Sequence, residues 1–425
     1  MKLTRLALSA ALAATCLGGS VFAQAPVVSA KGDLGYYSTG AKADYASVIP
    51  AACSCSDAPV SGCDLGDCGA GSCDAGGCDS LCGGDEPWKL FQNPILGFNV
   101  GGWTQLGYHS YNNTLFNQHA HNVNLHQAWL YAEKVADGSC GLDFGARLDY
   151  IYGVDAQDTQ AFGIANNHWD NSWDNGIYGH ALPQAYLEAA YGDVSVKVGH
   201  FFTLIGYEVV GATGNFFYSH SYTMYNSEPF THTGVLAQYS ASDNLTVYGG
   251  YVLGWDSGFE DNGDAFLGGY SYDLSDDTNF TNQFVIGRFG EGANNEVGWM
   301  TSSILSTKLN DSASYVFWVD LLDTDGTGRA RERQTFDVNQ YLLFNLSDKL
   351  VWGNRFEWYN IDKGVYGVTD GRSDVYAYTS GLNYAASSNL LFRPEVRWDW
   401  DKDGVVGNEL GASQTTMGMD MILTF

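Results

Sequence analysis

The chain is poor in positive charge. Twenty Lys and Arg stand against 48 Asp and Glu, a formal net charge of −28, so nucleic acid is not an expected partner and neither is an anionic membrane surface. Long apolar runs are also missing. Beyond the N-terminus no stretch supplies the ~18 apolar residues of a membrane helix, and the mean hydropathy is only −0.17. The nucleophile elbow Gly-x-Ser-x-Gly is absent too, which leaves an outer-membrane lipid hydrolase without its signature. No catalytic residue and no enzyme activity are expected.

What is abundant is aromatic residues and glycine: 27 Tyr, 22 Phe, 12 Trp and 52 Gly among 425 residues. Strands that turn one face to lipid and the other to water have this composition without looking hydrophobic on average. A secreted all-β protein shares it, so the decision rests on pattern.

The N-terminus reads as a Sec signal peptide over residues 1–23. Lys2 and Arg5 precede the apolar stretch Leu6 to Leu17, and Val21-Phe22-Ala23 places cleavage after Ala23. Ala13-Ala14-Thr15-Cys16 lacks the large aliphatic residue of a lipobox. Residues 24–88 form a Cys/Gly/Asp-rich leader with too few large apolar side chains to build a core, so disorder is expected. It carries Cys53, Cys55, Cys63, Cys68, Cys73, Cys78 and Cys82. In an oxidising compartment these seven thiols become disulfides or cross-links, and the odd one pairs with Cys140, with another chain, or stays single. A thiolate metal site is the alternative, but the paired CxxC arrangement of zinc sites is not present.

From about Leu96 the apolar residues alternate with period two. Phe144, Ala146, Leu148 and Tyr150 interleave with Asp143, Arg147 and Asp149. Leu390, Phe392, Val396, Trp398 and Trp400 oppose Arg393, Glu395, Arg397 and Asp399; Trp352, Phe356 and Trp358 oppose Arg355 and Glu357. So many charges facing so many aromatics fit a lipid side and a watery lumen. Short turns fall near 136–139, 192–193, 242–244, 275–278, 310–312, 347–349 and 387–389, three of them reading SDNL, SDKL and SSNL. Longer loops occupy about 109–120, 153–181, 204–229, 257–264, 290–295, 324–334, 362–372 and 401–413. The expected fold is therefore all-β: a transmembrane, antiparallel, up-and-down barrel over residues 89–425. It has about sixteen strands, with 14 or 18 also compatible, and both termini are periplasmic. The last strand alternates Met417, Met419, Met421 and Leu423 and ends on Phe425, resembling the insertion signal read by the barrel-assembly machinery.

The segments LGFNVGGWTQLGYHS, NLHQAWLYAEK, LDFGARLDYIYGVDAQ and PQAYLEAAYGDVSVKVGHFFTLIGYE, followed by a long loop to Asn226-Ser227-Glu228-Pro229, resemble the OmpL-like β-barrel porin family. The resemblance spans roughly residues 90–425 and excludes the leader. It implies a passive or weakly selective outer-membrane channel for small hydrophilic solutes or ions, surrounded by lipid; a homotrimer is one assembly open to such a channel.

A channel selects by size and field. The wall candidates are Asp143, Arg147, Asp149, Glu188, Lys197, Arg355, Glu357, Arg393, Glu395 and Arg397; ion pairs that only brace the wall are the plainer reading. The candidate constriction loop, 204–229, carries Glu208, Asn215, His220, Asn226 and Glu228. No cofactor is required. Calcium is the candidate cation for an external loop, because Asp399-x-Asp401-x-Asp403-Gly404 opens like an EF-hand, although the twelfth place is Leu410 and Glu409 falls one early. His119, His121 and His126 suggest a weaker metal reading, and Trp169 and Trp173 a sugar contact. The competing function is structural: a barrel tied to the cell envelope through its cysteine-rich leader.

Overall fold

Period-two alternation becomes strands because each extended residue points its side chain opposite to its neighbours. The computed structural model describes residues 87–290, 296–326, 333–365, 368, 372–401, 403–405 and 413–425; the signal peptide and the cysteine-rich leader as far as residue 86 lie outside the described residues. The first strands are β1 (Asn99–His109), β2 (Val123–Lys134), β3 (Asp143–Gly153), β4 (Tyr178–Tyr191) and β5 (Val194–Phe202). They are followed by β6 (Thr231–Ser242), β7 (Leu245–Val252), β8 (Asp264–Ser275), β9 (Thr278–Arg288), β10 (Glu296–Asn310) and β11 (Ala313–Gly326). The wall is completed by β12 (Gln334–Ser347), β13 (Leu350–Lys363), β14 (Ser373–Ser387), β15 (Leu390–Asp401) and β16 (Ser413–Thr424). A two-residue strand, Asp174–Asn175, adds a short ladder to the start of β4.

Every strand pairs antiparallel with its sequence neighbour, and β16 pairs with β1 from Trp103↔Thr424 to His109↔Gly418. The sheet is thus a closed sixteen-stranded barrel, which leaves no unpaired edge. The terminal residue joins the seam: Phe425 and Gly102 exchange two backbone hydrogen bonds of 2.9 Å. Segment 87–98 meets the same place. Trp88 N–H donates to Asn389 Oδ1 at 2.6 Å, Asn389 Nδ2 donates back to Trp88 O at 2.8 Å, and the Trp88 and Phe425 rings lie 6.2 Å apart.

Two faces emerge. Phe144, Leu148, Leu187, Val198, Trp352, Phe356, Trp398 and Trp400 stay exposed on the outer surface, whereas Arg147, Asp149, Glu188, Arg355, Glu357 and Arg397 are buried inside. Each large apolar side chain moved from water to lipid contributes ~1.5–3 kcal/mol, which is what an outward apolar band supplies to a membrane barrel. Cross-strand aromatic pairs reinforce it, including Tyr378–Trp398 at 5.6 Å and Phe344–Trp352 at 5.2 Å. Among the described residues no helix is long and apolar enough to cross a membrane.

Connections alternate in length. At one end lie two-residue turns at 192–193, 243–244, 276–277, 311–312, 348–349 and 388–389. The connection at 135–142 is longer than the sequence suggests because Gly138–Cys140 winds a 3-10 turn, capped by the Asp137 side chain. At the other end, long loops follow every odd-numbered strand. The longest described ones are 110–122, 154–177 and 203–230.

Candidate functional site

The loop between β5 and β6, residues 203–230, does not stand out over the barrel mouth. It folds inward and packs against the inner wall. Its own order comes from three local devices. Asn215 Oδ1 accepts Val209 N–H at 2.9 Å and its amide donates to Val209 O at 2.5 Å. Ser221 caps the short helix α1 (Tyr222–Ser227) by accepting from Met224 N–H at 3.1 Å. Gly206 adopts φ +92°, and a Cβ there would sit 2.1 Å from Glu228 Oε2, so the chain reverses beside Glu228 only with glycine.

The inner wall then supplies partners for the loop's backbone. Arg355 of β13 pairs with Glu208 and donates to Ser219 O at 2.8 Å. Glu208 also accepts Tyr341 O–H at 2.6 Å and Ser221 N–H at 2.7 Å. Glu357 accepts Tyr222 N–H at 3.0 Å and Thr223 N–H at 2.9 Å. On β15, Arg393 donates to Ala212 O at 2.9 Å and Asn215 O at 2.6 Å while pairing with Asp420 at 2.5 Å. Glu395 accepts Tyr218 and Ser219 N–H at 3.0 and 3.1 Å, and Arg397 donates to His220 O at 2.5 Å. Alternating Arg and Glu thus meet alternating C=O and N–H groups. Charge-assisted bonds of this kind are individually strong, and removal from water makes each depend on its partner.

A further set of anchors reaches β1 and β2. Gln127 Nε2 donates to Val210 O at 2.8 Å and its carbonyl accepts Ala212 N–H at 3.0 Å. The Tyr218 hydroxyl lies 2.6 Å from His126 Nε2 and 3.2 Å from His109 Nδ1, and His126 Nδ1 lies 2.7 Å from Asp155. Phe216 lies over Gly353, where a Cβ would approach its ring to 2.1 Å.

The other side of the loop faces β4–β7 across a cavity of ≈ 80 Å³ lined by Gln184, Tyr186, Lys197, Phe201, Glu208 and Glu228 among others. Lys197 is the register partner of Glu188, and its ammonium lies 4.7 Å from the Tyr186 ring centroid.

This architecture has counterparts. Residues 97–425 match the family described as beta-barrel porin-2, OmpL-like. The chain belongs to that family of porins. No curated relative matches it. Among solved structures, the anion-selective porin from Comamonas acidovorans is similar with a TM-score of 0.55 at 12% identity, covering 77% of this chain and 99% of that one. A loop L8 deletion mutant of OmpT, an outer membrane protein of Vibrio cholerae, gives a TM-score of 0.52 at 12% identity over 77% and 99%. A mutant of the Rh. blastica porin gives 0.50 at 14% identity over 77% and 100%. At these identities the likeness is one of fold. Family and fold together make this chain an outer-membrane β-barrel porin.

Within the porin, the structure places the wall candidates at several separate points, with Glu188 and Lys197 paired in register across β4 and β5. Arg355, Glu357, Arg393, Glu395 and Arg397 converge beneath the loop. Arg147 and Asp149 form a separate group with Glu133, the guanidinium lying 2.7 Å from Asp149 and 2.8 Å from Glu133. Asp143 pairs with Lys134 at 3.1 Å near the turn end, away from the loop. Of the loop candidates, Glu208 is the central ion pair, Asn215 braces the loop itself, and His220 Nδ1 lies 3.7 Å from Glu208 Oε2. Asn226 donates to Tyr222 O at 3.0 Å on α1.

The calcium pattern is distributed differently from an EF-hand. Asp399 turns into the lumen and holds Arg397 at 2.7 Å, whereas Asp401 folds back to accept Asp403, Gly404 and Val405 N–H. Glu409 lies outside the described residues, and among those described no group of three or more His, Cys, Asp or Glu side chains is arranged to hold a metal ion. His119 and His121 occur in loop 110–122 rather than on a strand, so they share no strand face. Trp169 packs 4.8 Å from Phe259, ring to ring, while Trp173 is exposed. Sequence reasoning passed over Tyr218, Asp320 and Asp420. Asp320 sits between the inward Trp318 and Leu322, so its face carries no consistent polarity to betray it.

Proposed function

We propose that this porin is a passive channel for small hydrophilic solutes and ions whose bore is set by loop 203–230. The observation that carries this reading is the fixation of that loop inside the barrel by Arg355, Arg393, Arg397, Glu357 and Glu395. A loop tied by its own backbone to a rigid wall is a constriction rather than a flap, and the solute path is the space left toward β4–β7. In this reading the chain is exported by the Sec route, inserted by the barrel-assembly machinery, and assembled as a homotrimer. Planar-bilayer recording of the purified full chain tests it. Discrete conductance steps are expected, with larger steps when Arg355 or Arg393 is replaced; a sealed barrel would overturn it.

A second role is compatible with the first. The leader's seven cysteines precede β1 in the sequence, and the exposed Cys140 lies in the 135–142 connection, at the end of the barrel where β1 begins and β16 ends, which suits a periplasmic cross-link to the envelope. Extraction of the protein from cell envelopes should then become easier with reductant; extraction indifferent to reductant would remove this role.

A further inference from the structure

The arginines of the wall offer a solute little positive charge. Arg355 is committed to Glu208 and Ser219 O, and Arg393 to Asp420 and the carbonyls of Ala212 and Asn215. Arg397 is committed to Asp399 and His220 O, and Arg147 to Glu133 and Asp149. Lys197 of β5 differs. Among the described residues its ammonium makes no hydrogen bond and has no carboxylate oxygen within 4 Å; its contact is with the Tyr186 ring, 4.7 Å from the centroid.

Lys197 lines the ≈ 80 Å³ cavity between loop 203–230 and β4–β7, the path left open to a solute. At ~10–15 Å³ for each water centre, that space takes on the order of six waters or an organic molecule with about as many heavy atoms. Most of the surrounding lining is apolar. Phe201 and Leu236 come from the wall, and Ile205, Val210, Met224 and Phe230 from the loop. Gln184 of β4 lines the same cavity, and its Nε2 is buried with no hydrogen-bond partner, so a second donor is available beside the ammonium.

The acids around Lys197 limit what it can receive. Glu188 of β4 is its register partner, with Oε1 buried and unpartnered. From the loop, Glu228 and the Arg355-paired Glu208 also line the cavity. One carboxylate can meet the ammonium, whereas a second on the same molecule would face these acids at low dielectric. An alkyl body fits the rest of the lining, and each CH₂ withdrawn from water strengthens binding by about fourfold.

We infer that Lys197 and this apolar lining form a binding point for small monocarboxylates with an alkyl body. Such acids then pass the constriction in preference to neutral or cationic solutes of the same size. This deepens the reading of loop 203–230 as the constriction and rests on it, because the loop supplies one side of the cavity.

The test records the full chain in planar bilayers bathed in KCl at pH 7, with sodium butyrate as the probe. Butyrate is expected to lower the KCl conductance in a saturable way, since an occupied gap passes less current. Acetate, two CH₂ groups shorter, should need about fifteenfold more for equal block. Succinate, butyramide and butylammonium should block far less than butyrate. In Lys197→Met the half-blocking concentration should rise about tenfold, the loss of one hydrogen bond to a charged group, and Lys197→Arg should keep the block. Equal block by acetate or by any of the three controls overturns the inference, as does a Lys197→Met channel that tracks the wild type. Should Lys197→Met not fold, the wild-type series decides alone. A barrel without conductance steps fails the channel reading alone, and saturation-transfer NMR on the same protein in detergent then reads the site. Transfer to butyrate but not to butyramide or butylammonium supports it; transfer to all three or to none overturns it.

Discussion

Arg355 shows how one residue can govern a loop. Its guanidinium holds Glu208, donates to Ser219 O, and lies 5.1 Å from the Phe217 ring, with no solvent exposure. Replacing it with Met leaves Glu208 buried without its countercharge, which costs about 3–5 kcal/mol for a broken buried pair. Denaturant unfolding of Arg355→Met in detergent should show that loss together with a larger conductance step. At the root of the loop, burial pushes the Asp256 carboxyl up to about 7. A raised folded value means that its share of stability is present below the unfolded value near 4 and disappears as pH rises to about 7. Unfolding of Asp256→Asn measured from pH 4 to 7 should therefore be less pH-dependent than that of the parent. That Arg355, Glu357, Arg393, Glu395 and Arg397 point inward is legible from alternation alone. That they bind main-chain groups is not, because a carbonyl or N–H has no letter of its own in the sequence.

At the scale of elements, turns and loops separate by legibility. The turns at 243–244, 348–349 and 388–389 are readable from SDNL, SDKL and SSNL, since short polar residues suit tight reversals. The inward fold of 203–230 is suggested by its position after the fifth strand, but its path depends on vacancies in the wall. Gly353 makes room for Phe216, and Gly107 for Tyr218, whose hydroxyl would lie 2.5 Å from a Cβ there. Such accommodation joins residues more than a hundred positions apart and leaves only scattered glycines as its trace. Gly353→Leu should displace Phe216 and cost about 1–3 kcal/mol by overpacking. Its conductance should rise although the barrel still shows its heat-modifiable gel mobility, and unchanged conductance would contradict a constriction at this place.

For the whole molecule, closure is the quantity most plainly written in the chain. An even number of alternating segments with short and long connections in turn permits one topology, and β16 meeting β1 completes it. Phe425 belongs to that closure through Gly102 and the Trp88 ring. Deleting Phe425 should lower the yield of folded barrel on reconstitution, scored by the fraction migrating as the compact form; an undiminished yield would reduce this residue to ornament. The tie between Trp88 and Asn389 has a mechanical consequence. Asn389 also donates to Thr424 O at 2.8 Å and accepts Thr424 N–H at 2.9 Å through its own carbonyl. Tension arriving along the chain at residue 87 is therefore shared at once among three strands, β1, β15 and β16, on either side of the seam. The load is spread over parallel rungs instead of opening them one by one from a loose end. A barrel moored in this way resists peeling at the junction where the first and last strands meet.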